Sequence, residues 1–156
     1  AIEGRMQLYP SQQFANVVID YAHTPQALIS ALQALRAHTS DAQLACVFGC
    51  GGDRDKGKRS EMAQAAERFA DVVMLTDDNP RSENAEQIIQ DVLQGFEQQE
   101  SVYIEHDRCS AIAQMLQHLD VKDCLLVAGK GHEDYQVIGD SVLHYSDAEC
   151  VKKLFS

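Results

Sequence analysis

Leu44-Ala45-Cys46-Val47-Phe48-Gly49-Cys50-Gly51-Gly52-Asp53-Arg54-Asp55-Lys56-Gly57-Lys58-Arg59 passes abruptly from an unbroken apolar run to a loop dense in Gly, Asp, Arg and Lys. The apolar run reads as a β-strand, and the loop stands at its carboxyl end. The same switch recurs three times. Asn16-Val17-Val18-Ile19 leads into Asp20-Tyr21-Ala22-His23-Thr24-Pro25, and Val72-Val73-Met74-Leu75 leads into Thr76-Asp77-Asp78-Asn79-Pro80-Arg81. Cys124-Leu125-Leu126-Val127-Ala128 leads into Gly129-Lys130-Gly131-His132-Glu133. In an open α/β sheet, ligands bind in the crevice outside the carboxyl ends of the strands. Polar clusters at four such ends imply one shared site.

Between these strands the sequence has helical periodicity. Pro25 suits a first helical turn, and Ala27, Leu28, Ala31, Leu32 and Leu35 follow at core spacing. Ser60 is the expected N-cap of a helix with Met62, Ala66 and Phe69 on one side. Ser82 or Asn84 is expected to cap a helix carrying Ile88, Ile89, Val92 and Leu93. A helix over 109–119 places Ile112, Met115, Leu116 and Leu119 inward. Strands are expected at 17–20, 43–48, 71–76, 102–105 and 123–128. Gly139-Asp140-Ser141 between Gln136-Val137-Ile138 and Val142-Leu143-His144-Tyr145 signals a hairpin, expected to pair at one sheet edge. Ser146 or Asp147 opens a last helix through Leu154. This order predicts a Rossmann-like α/β domain: a mostly parallel sheet of about six strands, helices on both faces and an antiparallel edge hairpin.

At 156 residues the chain is long enough for one domain with a sizeable core. A net charge of −11 argues against a nucleic-acid surface or an anionic membrane surface. It leaves room for an anionic small ligand, because Arg54, Lys56, Lys58 and Arg59 make a local basic cluster. No apolar run reaches the roughly 20 residues of a membrane span. The five cysteines show no C-x-x-C spacing, so no disulfide framework is implied and a reducing cytosol is expected. Ile2-Glu3-Gly4-Arg5 matches a protease site used in expression vectors, so residues 1–3 read as a possible remnant.

The motifs admit more than one chemistry. Gly52-x-x-x-x-Gly57-Lys58 fits seven positions of a phosphate-binding loop, but Arg59 stands where a hydroxyl would hold Mg²⁺. The loop therefore reads as a stand-alone nucleotide or phosphate module, as a plain glycine turn with solvated charges, or as a mount for Arg54. A guanidinium presents a fork that matches a carboxylate or phosphate. Asp78-Asn79-Pro80-Arg81 places acceptors, an amide and a guanidinium on a turn fixed by proline. Such a set suits a zwitterion: Arg81 takes a carboxylate, while Asp78 and Asn79 face an ammonium. A simple helix-capping turn is the alternative. Glu133 is a further ammonium partner. His23 and His132 lack metal-ligand spacing, and no nucleophile elbow or Ser/His/Asp arrangement is visible. No catalytic residue or metal ligand is assigned.

Taken together and in order, these motifs resemble the C-terminal domain of the Mur ligases, in the form that adds meso-diaminopimelate to UDP-N-acetylmuramoyl-L-alanyl-D-glutamate. The resemblance runs from Gly4 to the C-terminus. It implies an ATP-dependent ligase of peptidoglycan synthesis, in which ATP phosphorylates a substrate carboxylate and an incoming amine displaces the phosphate. It implies that Arg54, Asp78, Asn79, Arg81, Gly129 and Glu133 bind meso-diaminopimelate, with Arg81 on the distal carboxylate that lysine lacks. It assigns Arg5, Asp20 and His23 to ATP. It places Mg²⁺ and the UDP-N-acetylmuramoyl-dipeptide on an N-terminal and a central domain that this chain lacks. The fragment alone is then expected to be inactive, monomeric and cytoplasmic, with no nucleic-acid or membrane partner.

Overall fold

The computed structural model describes residues 4–39 and 41–156, so the possible remnant at 1–3 lies outside the described residues. The elements in order are β1 (Gln7–Tyr9), β2 (Asn16–Asp20), α1 (Pro25–Arg36), β3 (Leu44–Phe48), α2 (Gly57–Phe69), β4 (Val72–Leu75) and α3 (Ala85–Leu93). After a 3₁₀ turn come β5 (Tyr103–Ile104), α4 (Arg108–His118), β6 (Cys124–Ala128), β7 (Tyr135–Ile138), β8 (Ser141–His144) and α5 (Asp147–Phe155). Six strands form one sheet in the order β1-β2-β6-β3-β4-β5. All pairings are parallel except that of β1 with β2. The expected fold class is observed.

The unbroken apolar strands are buried on both faces, which a parallel sheet covered by helices requires. In β3, Leu44, Cys46 and Phe48 pack against α1, α2 and α3, while Ala45 and Val47 pack against α4 and α5. In β6, Leu126 joins the first core while Leu125 and Val127 join the second. Side chains at helix starts accept the orphan N–H groups there. Thr24, Asn84, Asp107 and Ser146 cap α1, α3, α4 and α5.

Strand order positions the site. The crossover after α4 returns β6 between β2 and β3, so β2, β6, β3 and β4 become neighbours. The loops that follow these strands are the four polar motifs.

Three expectations are corrected. Helix α2 begins at Gly57, and Lys56 occupies the N-cap without a side-chain hydrogen bond. The Asp55 carboxylate instead accepts the Gly57 N–H at 2.9 Å, so helical geometry starts before Ser60. The hairpin is not an edge of the main sheet. Antiparallel edge pairing comes from β1, and β7 and β8 form a separate ribbon. Finally, Cys109 in α4 and Cys150 in α5 form a disulfide, with Cα atoms 5.8 Å apart. The packing of α4 on α5 makes this pairing; no local spacing announces it.

Candidate functional site

The four strand-end loops surround one cavity of about 450 Å³. The β2 loop contributes Tyr21 and His23, and the β3 loop contributes Gly51, Arg54, Asp55 and Lys58. The β4 loop contributes Asp78, Asn79 and Arg81, the β6 loop Gly129 and Glu133, and β7 contributes Tyr135. All six residues expected at the amino-acid site thus line one wall system, together with His23. A cavity of similar volume, about 460 Å³, opens at the opposite end of the sheet around Asp41, His118 and Asp123. There the Asp123 carboxylate is already taken by the N–H groups of Gln43 and Asp120, at 2.8 Å each, so it ties loops together.

The β4 loop is held by the ribbon. Asn79 Oδ1 accepts from Val137 N at 2.9 Å, and Gln136 Nε2 donates to the Asp78 carbonyl at 2.7 Å. Arg81 N donates to the Val137 carbonyl, and Gly139 N donates to that of Arg81. Asn79 Oδ1 also accepts from Lys130 Nζ at 3.1 Å. The amide oxygen expected to face an ammonium is therefore occupied. What Asn79 can still offer is its Nδ2 donor, which suits a carboxylate.

Arg81 stands at φ +55° and Asp53 at φ +55°, in a region that side chains seldom adopt. Arg81 Nη1 donates to the Gly52 carbonyl at 2.9 Å, leaving the rest of the fork for the cavity. The Asp53 carboxylate receives Ser82 N and Oγ, and these bonds, the hydroxyl's first, hold its carboxyl below the usual range. A Cβ on Gly52 would lie 1.8 Å from the Pro80 carbonyl oxygen, so this close approach of the two loops requires glycine. Arg54 Nη1 donates to the Asp53 carbonyl at 2.9 Å.

Of the expected ATP residues, His23 lines the cavity, while Arg5 and Asp20 do not. The Arg5 guanidinium lies 5.3 Å from the Tyr21 ring centroid, and Tyr21 meets the His23 ring edge-on at 4.7 Å. Asp20 does not line the cavity. Its carboxylate accepts Met6 N at 2.7 Å and Ala22 N at 2.9 Å, tying the segment that carries Arg5 to the end of β2.

The basic cluster is only partly a site feature. Lys58 and Arg54 line the cavity, but Arg59 is buried, bridging Glu83 at 2.9 Å and Asp91 at 3.0 Å. Burial pushes the Cys50 thiol up to about 12, so the cysteine of the glycine loop stays protonated. Among the described residues no group of three His, Cys, Asp or Glu is placed to hold a metal ion. Sequence reasoning missed Lys130, Tyr21 and Tyr135. Each lies within or just after a quoted motif, and position beside a strand end was the available signal.

A glycine-rich site over four adjacent strand ends, lined by guanidinium forks and carboxylates, defines an α/β ligand-binding domain. The family described as "Mur ligase, glutamate ligase domain" matches residues 4–131, and the chain belongs to that family. Within it, the UDP-N-acetylmuramoyl-L-alanyl-D-glutamate–2,6-diaminopimelate ligase of Vibrio vulnificus (strain YJ016) is 55% identical over 151 residues. The match covers 97% of this chain and 30% of that protein. The ligase of the same name from Coxiella burnetii is 51% identical over 152 residues, covering 97% and 31%. A solved structure of such a ligase superposes with a TM-score of 0.90 at 44% identity, over 97% of this chain and 31% of the other. The fold is also that of the Yersinia pestis bifunctional folylpolyglutamate synthase/dihydrofolate synthase, crystallised with AMPPNP and a Mn ion. It gives a TM-score of 0.65 at 22% identity, over 83% of this chain and 28% of the other. This chain spans about a third of the length of the relatives it matches.

Proposed function

We propose that the chain is the amino-acid-binding domain of an ATP-dependent ligase that adds meso-diaminopimelate to UDP-N-acetylmuramoyl-L-alanyl-D-glutamate in cytoplasmic peptidoglycan synthesis. One observation carries the reading: Arg54, Arg81, Asp78 and Glu133, from three different loops, line one cavity. Diaminopimelate carries two carboxylates and two ammonium groups, and these four side chains offer two forks and two carboxylates. The Asn79 Nδ2 adds a donor to the carboxylate side.

In this reading the domain's contribution is position. The amine attacks the carbonyl carbon of an acyl phosphate, the bond from that carbon to the phosphate oxygen breaks, and inorganic phosphate and a proton leave. Orienting an amine against such an electrophile lowers the barrier by several kcal/mol, and closure keeps water from the acyl phosphate. No side chain of this domain is required as a nucleophile. Arg5, stacked on Tyr21 beside His23, would meet the nucleotide, with Asp20 fixing the segment that bears Arg5. ATP supplies the phosphoryl group. Mg²⁺ is assigned to the part of the longer ligase outside this chain.

The test is an NMR titration of the domain with meso-diaminopimelate, L-lysine and ATP. Shifts at Arg54, Asp78–Arg81 and Gly129–Glu133 with diaminopimelate alone are expected. Shifts confined to the 52–58 loop, with ATP alone, would replace this reading with a nucleotide-binding module.

A further inference from the structure

We propose that Lys130 is a positioning residue of the amino-acid site: its buried ammonium holds Asp78, Asn79 and Glu133 in one arrangement and leaves each carboxylate an oxygen for the incoming ammonium group. The inference rests on the proposed function and assigns the site a residue that does not itself line the cavity.

Lys130 has no exposed surface, which is rare for a lysine and is tolerated only when the charge is paired. Its Nζ donates to Asn79 Oδ1 at 3.1 Å and to the Tyr135 carbonyl at 2.9 Å. The remaining N–H has two carboxylates near it, Asp78 Oδ1 at 3.3 Å and Glu133 Oε1 at 3.5 Å. One ammonium thus joins the β4 loop, the β6 loop and the ribbon.

Asp78 Oδ1 is buried with no hydrogen bond of good geometry, although Nζ is only 3.3 Å away. Charge alone holds that oxygen, so a neutral side chain at 130 would release it. The second oxygens are differently placed. Asp78 Oδ2 lies 3.1 Å from the position a Cβ would take on Gly129, a cavity residue, and Glu133 Oε2 has only a long contact, 3.4 Å, from the Tyr135 hydroxyl. Two carboxylates and one ammonium leave one net negative charge, which a single substrate ammonium neutralises. Without Lys130, Asp78 and Glu133 would lose the one cation they share. The other charged or titratable groups around them are Arg108 from α4 and Cys50 from the β3 loop near Asp78, and Tyr135 beside Glu133.

The test uses a full-length ligase carrying this domain, with Lys130→Gln and Lys130→Met. Lys130→Gln keeps a donor for Asn79 and Tyr135 but removes the charge. The KM for meso-diaminopimelate should rise about tenfold or more while the KM for ATP stays within about twofold, the signature of lost amino-acid positioning. A folded Lys130→Gln enzyme with an unchanged diaminopimelate KM, or with KM values for diaminopimelate and ATP that rise together, overturns the proposal. Failure of both variants to fold also overturns it, because Lys130 would then serve stability. A wild-type enzyme that ignores diaminopimelate refutes the proposed function itself, a result visible before any variant is made.

Discussion

Arg108 Nε lies 2.9 Å from Asp147 Oδ1, with both side chains completely buried between α4 and α5. Arg108 Nη2 also donates to Asp147 Oδ2 at 3.0 Å and to the Ala128 carbonyl at 2.9 Å, at the end of β6 just before Gly129. Desolvation opposes the guanidinium charge, but the Asp147 carboxylate outweighs it and holds Arg108 above its ordinary range. The Tyr145 hydroxyl donates to the same carboxylate at 2.7 Å. Arg108→Met should therefore cost about 3–5 kcal/mol, because it leaves Asp147 buried and unpaired. The double change Arg108→Met with Asp147→Leu should cost less than the single one. Urea midpoints at constant m-value measure both, and a double variant less stable than Arg108→Met would refute the argument.

His106 joins two acidic groups: Nδ1 meets Asp77 Oδ1 at 2.7 Å and Nε2 meets Glu86 Oε2 at 2.7 Å. Desolvation lowers its pKa, but the hydrogen bonds to both carboxylates prevail and the imidazole stays protonated above its usual 6.5. A raised folded pKa means that the contribution to stability is complete below 6.5 and fades as pH rises through the folded value. Burial raises the Asp77 carboxyl against the pull of His106. Glu86 is held low by Gln90 and His106. Wild type should thus exceed His106→Gln in stability by more at about pH 5.5 than at about pH 8.5. Thermal melts across that range check it. Parallel curves would show that His106 is not coupled to its two carboxylates. Asp77 adjoins Asp78, so the same comparison for ligand binding reports whether this joint steadies the proposed amino-acid site.

The Cys109–Cys150 bridge closes a loop with a sequence separation of 41 and leaves Cys46, Cys50 and Cys124 free and buried. Chain-entropy reasoning gives about 4 kcal/mol for a loop of this size, with native strain and denatured-state structure reducing it. Reduction should lower the urea midpoint by an equivalent of about 2–4 kcal/mol, and the thiols counted in the unfolded chain should rise from three to five. The loss should not add fully to that of Arg108→Met, since both links tie α4 to α5. An unchanged midpoint with all five thiols free at the start would show that the bridge does not form in solution.

The fold was legible because local signals agreed with one another. Unbroken apolar runs, Pro25 and the capping side chains at Asn84 and Ser146 each mark an element by chemistry within a few residues. The site was legible through one rule, that polar loops at parallel strand ends share a crevice. Strand order was not, because nothing local in Cys124–Ala128 says that it inserts between β2 and β3. Arg59 looked like part of a phosphate-facing cluster. Its partners Glu83 and Asp91 lie 24 and 32 residues away, and only the packing of α2 on α3 reveals them. Lys130 was hidden for the same reason: a lysine between two glycines reads as exposed until β4 and the ribbon close over it. The Asn79 oxygen could not be assigned before its donors, Lys130 and Val137, were known.

Arg81 provides the sharpest test of selectivity. Its φ of +55° points to a backbone held for the sake of the side chain, and one Nη already serves the Gly52 carbonyl. If the remaining fork receives the distal carboxylate of diaminopimelate, removing it leaves that carboxylate without its charged partner, at a cost of about 1–3 kcal/mol. In a full-length ligase carrying this domain, Arg81→Ala should then raise the KM for diaminopimelate by about 10- to 100-fold while the KM for ATP stays within about twofold. Arg81→Lys should recover only part of the loss, because an ammonium cannot reproduce the bidentate fork. L-Lysine lacks the distal carboxylate, so its use should be nearly unaffected and the preference for diaminopimelate over lysine should collapse. Equal losses for diaminopimelate and lysine would move Arg81 to the carboxylate both share. Equal losses for diaminopimelate and ATP would make it a support for the Gly52 loop instead.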